Sequence, residues 1–351
     1  MSQFWSDIVK NLTPYVPGEQ PQNREYVKLN TNENPFAPSP KVIEAIDHFD
    51  RTLLKRYPDP EATKLRQSIA DFYNKPLNQI FVGNGSDEVL AHSFFAFFKK
   101  AKPIAFPDIT YSFYPVYANL YNIDAIEFPV QDDFSIDVNS ISENTDGIIL
   151  PNPNAPTSKY LEPAEIKTLL KKHPNKVVII DEAYIDFGGE SAVNLVDEFE
   201  NLLVIQTFSK SRSLAGLRIG FAIGQPHLIE ALQRVKNSFN SYPIDQLAIV
   251  AGQAAMQDVD YFQSCCDQVI QTRAWTHTQL QALGFECIES KANFILAKPL
   301  KHDAEKVYLD LKENGVLVRY FKDSKISDYL RISIDTQSNM KTLIDVLKSV
   351  L

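Results

Sequence analysis

Four short stretches place chemically capable side chains directly after apolar runs. Thr207-Phe208-Ser209-Lys210 follows the run 202–205. In open α/β sheets ligands collect beyond the carboxyl ends of the strands, so a lysine there is partly shielded from water and offers an amine that can bond a carbonyl carbon. Asp181-Glu182-Ala183-Tyr184 follows the four apolar residues 177–180. A carboxylate at such an edge calls for a cation, such as a protonated ring nitrogen, because a buried charge is tolerated only with its partner present. Tyr184 is placed to donate to a phenolate oxygen. Gly83-Asn84-Gly85-Ser86-Asp87-Glu88 joins the run 80–82 to an expected helix over 87–98. Its glycines admit a ligand close to the backbone, and the helix start offers free N–H groups to a phosphate. Pro151-Asn152-Pro153-Asn154-Ala155-Pro156-Thr157 follows the run 147–150 and presents the Asn154 amide. Arg218 and Arg331, each set in apolar sequence, call for a phosphate or carboxylate that matches the guanidinium fork. Taken singly, each stretch has an ordinary alternative: a solvated loop lysine, a helix cap, a turn, a structural ion pair. Taken in order, successive strand ends deliver a phosphate cradle, an amide, a carboxylate and a lysine.

The elements that would position these groups alternate. Short apolar runs at 80–82, 104–106, 125–128, 147–150, 177–180, 202–207 and 219–223 are separated in several places by helical patterns, at 86–98, 111–121 and 163–173. All-apolar strands alternating with helices predict a mainly parallel sheet covered on both faces. The expected fold class is α/β, with a large domain over 50–245. An N-terminal arm that also feeds the smaller domain covers 1–49, and a C-terminal α+β unit covers 246–351. Helices are expected over 41–54 and 61–74, and long helices over 245–283.

Composition narrows the function. The net charge of -9 disfavours nucleic acid, whose phosphates need a basic face. Three cysteines, two of them adjacent, form no disulfide framework, and no CxxC or HxxxH pair suggests zinc. The glycine loop is neither GxGxxG nor a Walker loop. No apolar run reaches the roughly 18 residues of a membrane span, and the first ten residues lack a signal pattern. A cytoplasmic home, with no membrane partner, is the expectation.

Read together, the chain resembles the fold-type I pyridoxal-phosphate (PLP) aminotransferases. The resemblance runs from Leu29-Asn30-Thr31-Asn32-Glu33-Asn34-Pro35 and Arg56-Tyr57-Pro58-Asp59 through the four stretches above to Leu214-Ala215-Gly216-Leu217-Arg218-Ile219-Gly220 and Leu330-Arg331-Ile332-Ser333. It implies that Lys210 carries the cofactor and moves the proton, that Asp181 pairs with the pyridinium nitrogen, and that Asn154 and Tyr184 bond the ring oxygen. Gly85, Ser86, Asp87, Ser209 and Arg218 would hold the cofactor phosphate, with Thr207 nearby, and Tyr111 would stack on the ring. Tyr57 would reach the cofactor of a second subunit, which makes a homodimer with shared active sites part of the expectation. Arg331 would take the anionic end of the substrate, with Arg319, Tyr15 and Asn34 as further contacts. The implied reaction passes an amino group from L-histidinol phosphate to 2-oxoglutarate. The alternatives are another amino-acid aminotransferase, a threonine-phosphate decarboxylase on the same scaffold, or a regulatory PLP-binding module. One departure stands out: Ser158 occupies the place of a glycine usual in the family.

Overall fold

The computed structural model describes residues 3–16, 18–21 and 24–351. An N-terminal arm carries α1 (Asp7–Asn11), β1 (Val27–Lys28) and α2 (Pro40–Asp47). Ser39 caps α2 by accepting from Val42 N, and Pro40 occupies its first turn. The expected helix over 41–54 is divided: α2 stops at Asp47, and Asp50 caps a separate 3-10 turn, Arg51–Lys55. The short polar Asp50 competes for the backbone through its side-chain bond to Thr52 N, which is why one long helix does not form.

The large unit continues through α3 (Thr63–Tyr73), β2 (Ile80–Asn84), α4 (Gly85–Ser93), β3 (Ile104–Pro107), α5 (Phe113–Tyr121), β4 (Ala125–Phe128), β5 (Gly147–Pro151), α6 (Pro163–Lys172), β6 (Val177–Asp181), β7 (Leu202–Thr207), β8 (Ile219–Gly224) and α7 (Pro226–Phe239). Its seven strands lie in the order β2-β8-β7-β6-β5-β3-β4. Only β8 runs against its neighbours, pairing antiparallel with both β2 and β7. Alternate residues of the central strands enter different cores: Ile148, Val178 and Val204 one, Ile149, Ile179 and Ile205 the other. That division is what apolar strands covered on both faces require.

The chain then forms α8 (Gln246–Gln257), α9 (Val259–Ala282), β9 (Phe285–Cys287), β10 (Phe294–Pro299), α10 (Ala304–Glu313), β11 (Val316–Leu317), β12 (Arg319–Tyr320), β13 (Leu330–Ser333) and α11 (Gln337–Val350). A four-stranded antiparallel sheet, β12-β13-β10-β9, is backed by α9, α10 and α11 through Val269, Leu311 and Leu343, while β1 pairs with β11. By packing, α8 falls outside the C-terminal unit expected from residue 246: Ala248, Ala251 and Ala254 share the large sheet's core with Val42 and Leu65. A Cβ on Gly252 would meet Leu65 Cδ1 at 2.8 Å, so these helices are in close contact.

Candidate active site

A cavity of about 870 Å³ opens between the carboxyl edge of the large sheet and the small sheet. Ser86, Tyr111, Asp181, Tyr184 and Lys210 line it from one side, and Arg319 and Arg331 from the other. The two sides meet where Ile109 and Phe134 pack on Ile288, Leu296 and Ile326, beside a Lys325–Asp108 ion pair.

Asp181 ends β6, and its register partner is Ile205 of β7. It is 4% exposed; Oδ2 accepts from Tyr114 Oη at 2.9 Å, and Oδ1 has no hydrogen-bond partner among the described residues. Burial raises its pKa to about 6, against the lowering pull of the Tyr114 and Ala183 donors. Lys210 lies in the loop after β7. Its Nζ donates to Thr31 O at 3.1 Å and stands 5.7 Å from the Tyr184 ring centroid. Asn154 is wholly buried between Pro153 and Ala155, which line the cavity. Its Nδ2 donates to Ile109 O at 2.9 Å, which leaves one amide hydrogen for another acceptor.

The cradle is built by close backbone approach. Gly85 takes φ +77°, and a Cβ there would lie 2.6 Å from Arg218 Nη2. A Cβ on Gly220 would lie 2.2 Å from Ser86 N, so only glycine lets β8 pass under the start of α4. Arg218 Nη2 meets Asp87 Oδ2 at 2.6 Å, and Tyr111 Oη donates to Asp87 Oδ1 at 3.0 Å. Ser209 N donates to Thr207 Oγ1 at 3.1 Å, and Thr207 Oγ1 donates to Ile219 O at 3.3 Å, which ties the lysine loop to β8. Free N–H groups at the start of α4, with the Arg218 guanidinium beside them, suit a phosphate.

The proposed substrate contacts divide. Arg319 and Arg331 face each other across β12 and β13, and both lie 5.5 Å from the Phe321 ring. Tyr15 lines the cavity and stacks on Phe113 at 4.3 Å. Asn34 does not line it: its Nδ2 donates to Lys210 O at 2.8 Å and Ser211 O at 3.2 Å, and its Oδ1 accepts from Phe36 N. The side chain braces the lysine loop and is not free for a substrate. Tyr57 is 81% exposed, stacks on Tyr242 and does not line the cavity of its own chain.

Sequence reasoning missed Tyr114 and Asn32. Tyr114 sits on α5, one helical turn beyond Tyr111, and that spacing was the available signal. Asn32 donates to Tyr184 Oη at 3.2 Å, a contact that spans 152 positions and leaves no local pattern.

The residues fit a PLP cofactor. A buried carboxylate with an unpaired oxygen suits a cationic ring nitrogen, and a glycine-built cradle beside an arginine suits the phosphate. The chain is an aminotransferase: the family described as Aminotransferase class I and II matches residues 24–347, and the chain belongs to it. Its similarity is specific. It is 52% identical over 351 residues to the histidinol-phosphate aminotransferase of Clostridium botulinum (strain Okra / Type B1), covering 100% of this chain and 99% of that one. It is 54% identical over 347 residues to histidinol-phosphate aminotransferase 1 of Pseudomonas fluorescens, covering 99% of each chain. The fold matches the crystal structure of histidinol-phosphate aminotransferase from Sinorhizobium meliloti in complex with pyridoxal-5'-phosphate, with TM-score 0.89, 21% identity, and 100% and 99% coverage. Among the described residues no helix is long and apolar enough to cross a membrane.

Proposed function

We propose that this enzyme moves the amino group of L-histidinol phosphate to 2-oxoglutarate, giving imidazole acetol phosphate and glutamate, a step of histidine biosynthesis. The observation that carries the substrate choice is the arginine pair. Arg319 and Arg331 are register partners on adjacent strands, both at the cavity wall. Like charges directly opposite destabilise a sheet, and a phosphate monoester between them turns that repulsion into binding. Arg331 Nε is buried without a partner among the described residues, and burial foremost lowers the Arg331 pKa, so the guanidinium gains from an anion.

When bound, PLP supplies an electron sink for the bond to be broken. Lys210 would hold the cofactor's aldehyde carbon through its amine and, once freed by the substrate amine, would carry the proton from the amine-bearing carbon. Asp181 would hold the positive charge on the ring nitrogen, and Tyr184 and Asn154 would donate to the ring oxygen. Ser86, Ser209, Arg218 and the main chain of Asp87 would anchor the phosphate, the Asp87 carboxylate holding Arg218 and Tyr111, with Gly85 and Thr207 shaping the cradle. Tyr111, which lines the cavity, would cover the ring.

The working unit on this reading is a cytoplasmic homodimer. Tyr57, exposed and stacked on Tyr242, is available to reach a second subunit's cofactor. The test is a substrate panel: turnover with L-histidinol phosphate should exceed that with phenylalanine, and threonine phosphate should release no carbon dioxide. Preference for phenylalanine, or carbon dioxide release, overturns the assignment.

A further inference from the structure

The turn Asn30-Thr31-Asn32 touches three functional side chains in succession. Asn30 O accepts from Arg331 Nη2 at 2.9 Å, Thr31 O accepts from Lys210 Nζ at 3.1 Å, and Asn32 Nδ2 donates to Tyr184 Oη at 3.2 Å. We infer that Asn32 is a positioning residue that fixes the direction of the Tyr184 hydroxyl proton and leaves it free for the cofactor's ring oxygen. This rests on the PLP reading above.

The polarity of the hydrogen bonds carries the inference. Asn32 N donates to Ser333 Oγ at 2.9 Å, so that oxygen already accepts. The Ser333 proton goes to Asn32 Oδ1 at 2.8 Å. With Oδ1 committed as an acceptor, Nδ2 faces Tyr184, and Tyr184 Oη receives a hydrogen instead of giving one. The reverse amide orientation would take the Tyr184 proton and leave the Ser333 hydroxyl without an acceptor among the described residues. A buried hydroxyl left unpaired costs about 1–3 kcal/mol, which decides against the reversal.

The parts that hold this arrangement are rigid. Asn32 is 1% exposed and adopts φ +55°, and its carbonyl accepts from Asn293 Nδ2 at 3.0 Å. The Tyr184 ring is fixed edge-on to Phe294 at 5.0 Å. Charged groups near it include Lys210 and Arg331, and Tyr111 is a neighbouring phenol. Ser333 lies two residues beyond Arg331 on β13, so the strand that holds the substrate's anion also sets the polarity at the cofactor's ring oxygen.

The test is a pH titration of the visible absorbance of PLP-loaded protein. Donation by Tyr184 stabilises negative charge on the ring oxygen, so weakening it moves the titration midpoint upward. Asn32→Gly keeps the left-handed backbone and the main-chain bond to Ser333 and removes only the amide. Its midpoint should rise by about 0.5–1 unit, with kcat reduced several-fold and KM for the amine little changed. Tyr184→Phe should rise further, and adding Asn32→Gly to Tyr184→Phe should change nothing more. Ser333→Ala, which releases the amide without deleting it, should shift the midpoint in the same direction by less, and it stands in if the glycine variant does not fold. A wild-type midpoint in Asn32→Gly, or an equal shift in the Tyr184→Phe background, overturns the inference. A wild-type protein that shows no visible band on loading overturns the cofactor reading beneath it.

Discussion

Asp181 and Glu182 are adjacent in sequence, both buried, and in opposite hydrogen-bonding condition. Asp181 faces the cavity with one oxygen bonded to Tyr114 and the other without a partner among the described residues. Glu182 faces away, and its oxygens accept from Ser191 Oγ at 2.5 Å, Ala192 N at 2.7 Å and Gln206 Nε2 at 2.8 Å. Tyr73 extends that network by donating to Gln206 Oε1 at 2.5 Å. Burial is the largest influence on both, raising Asp181 to about 6 and Glu182 to about 7. The pKa shift therefore does not separate a site residue from a structural one; the count of satisfied oxygens does. The protein's own donors, among the described residues, satisfy both oxygens of Glu182 but only one of Asp181.

The largest effect belongs to the incomplete side. Lys210→Ala should lower kcat by at least about 10⁴-fold and abolish the visible band of the bound cofactor, as removal of both nucleophile and proton carrier requires. Normal turnover in that variant would place the chemistry elsewhere.

The pair itself is tested by two isosteric changes with effects of opposite sign. Asp181→Asn should lower kcat by about 10²–10⁴-fold, yet at pH 8 it should make the cofactor-free protein more stable by about 1–3 kcal/mol, because an unpaired buried charge is removed. Glu182→Gln turns an amide toward donors and should destabilise loaded and cofactor-free protein alike by about 2–3 kcal/mol. Denaturant melts measure both, and stability changes of the same sign would end the distinction drawn between the two carboxyls.

Titration sharpens the same contrast. Each carboxyl has a folded pKa above its unfolded value of roughly 4, so each favours folding at low pH, and that contribution is lost as pH rises through about 6 for Asp181 and about 7 for Glu182. A cofactor cation removes the Asp181 part and leaves that of Glu182. The Tm difference between loaded and cofactor-free protein should therefore widen from pH 5 to pH 7. A difference independent of pH would mean that Asp181 is not the group the cofactor completes.

What the sequence showed follows from the same geometry. That Lys210, Asp181, Ser86 and Tyr184 share one cavity was legible because each stands at or just beyond the end of an apolar strand, and strand ends are local signals. The seven strands of the large sheet were legible for the same reason. Asn32 was not, since its partner lies 152 positions away, and the spacing of Tyr114 from Tyr111 gave no pointer to its partner 67 positions away. Asn34 was misread because the motif reveals a polar side chain but not that Lys210 O and Ser211 O already occupy it. The boundary at 246 was misplaced because the apolar faces of α8 and α9 look alike in sequence, and only packing shows that they serve different cores.

The smallest expected effect concerns Ser158, where a family glycine is absent. Ser158 adopts φ +64°, the left-handed region that glycine enters freely and that costs other residues roughly 1–2 kcal/mol. Its N–H donates to Asn154 O at 2.7 Å, so this turn holds the backbone that presents the Asn154 amide. The hydroxyl donates to Thr157 O, which offsets part of the backbone cost. Ser158→Gly relieves the strain, loses that bond and frees the unfolded chain, so stability should change by less than about 1 kcal/mol with kcat unaltered. Ser158→Ala keeps the strain without the bond and should be less stable than either. Ser158→Val, β-branched in a left-handed position, should be the least stable of the series and should weaken cofactor retention by displacing Asn154. Equal melting temperatures for the valine variant and the wild type would show that the turn adapts, and that the serine is accommodated by flexibility and not by its hydrogen bond.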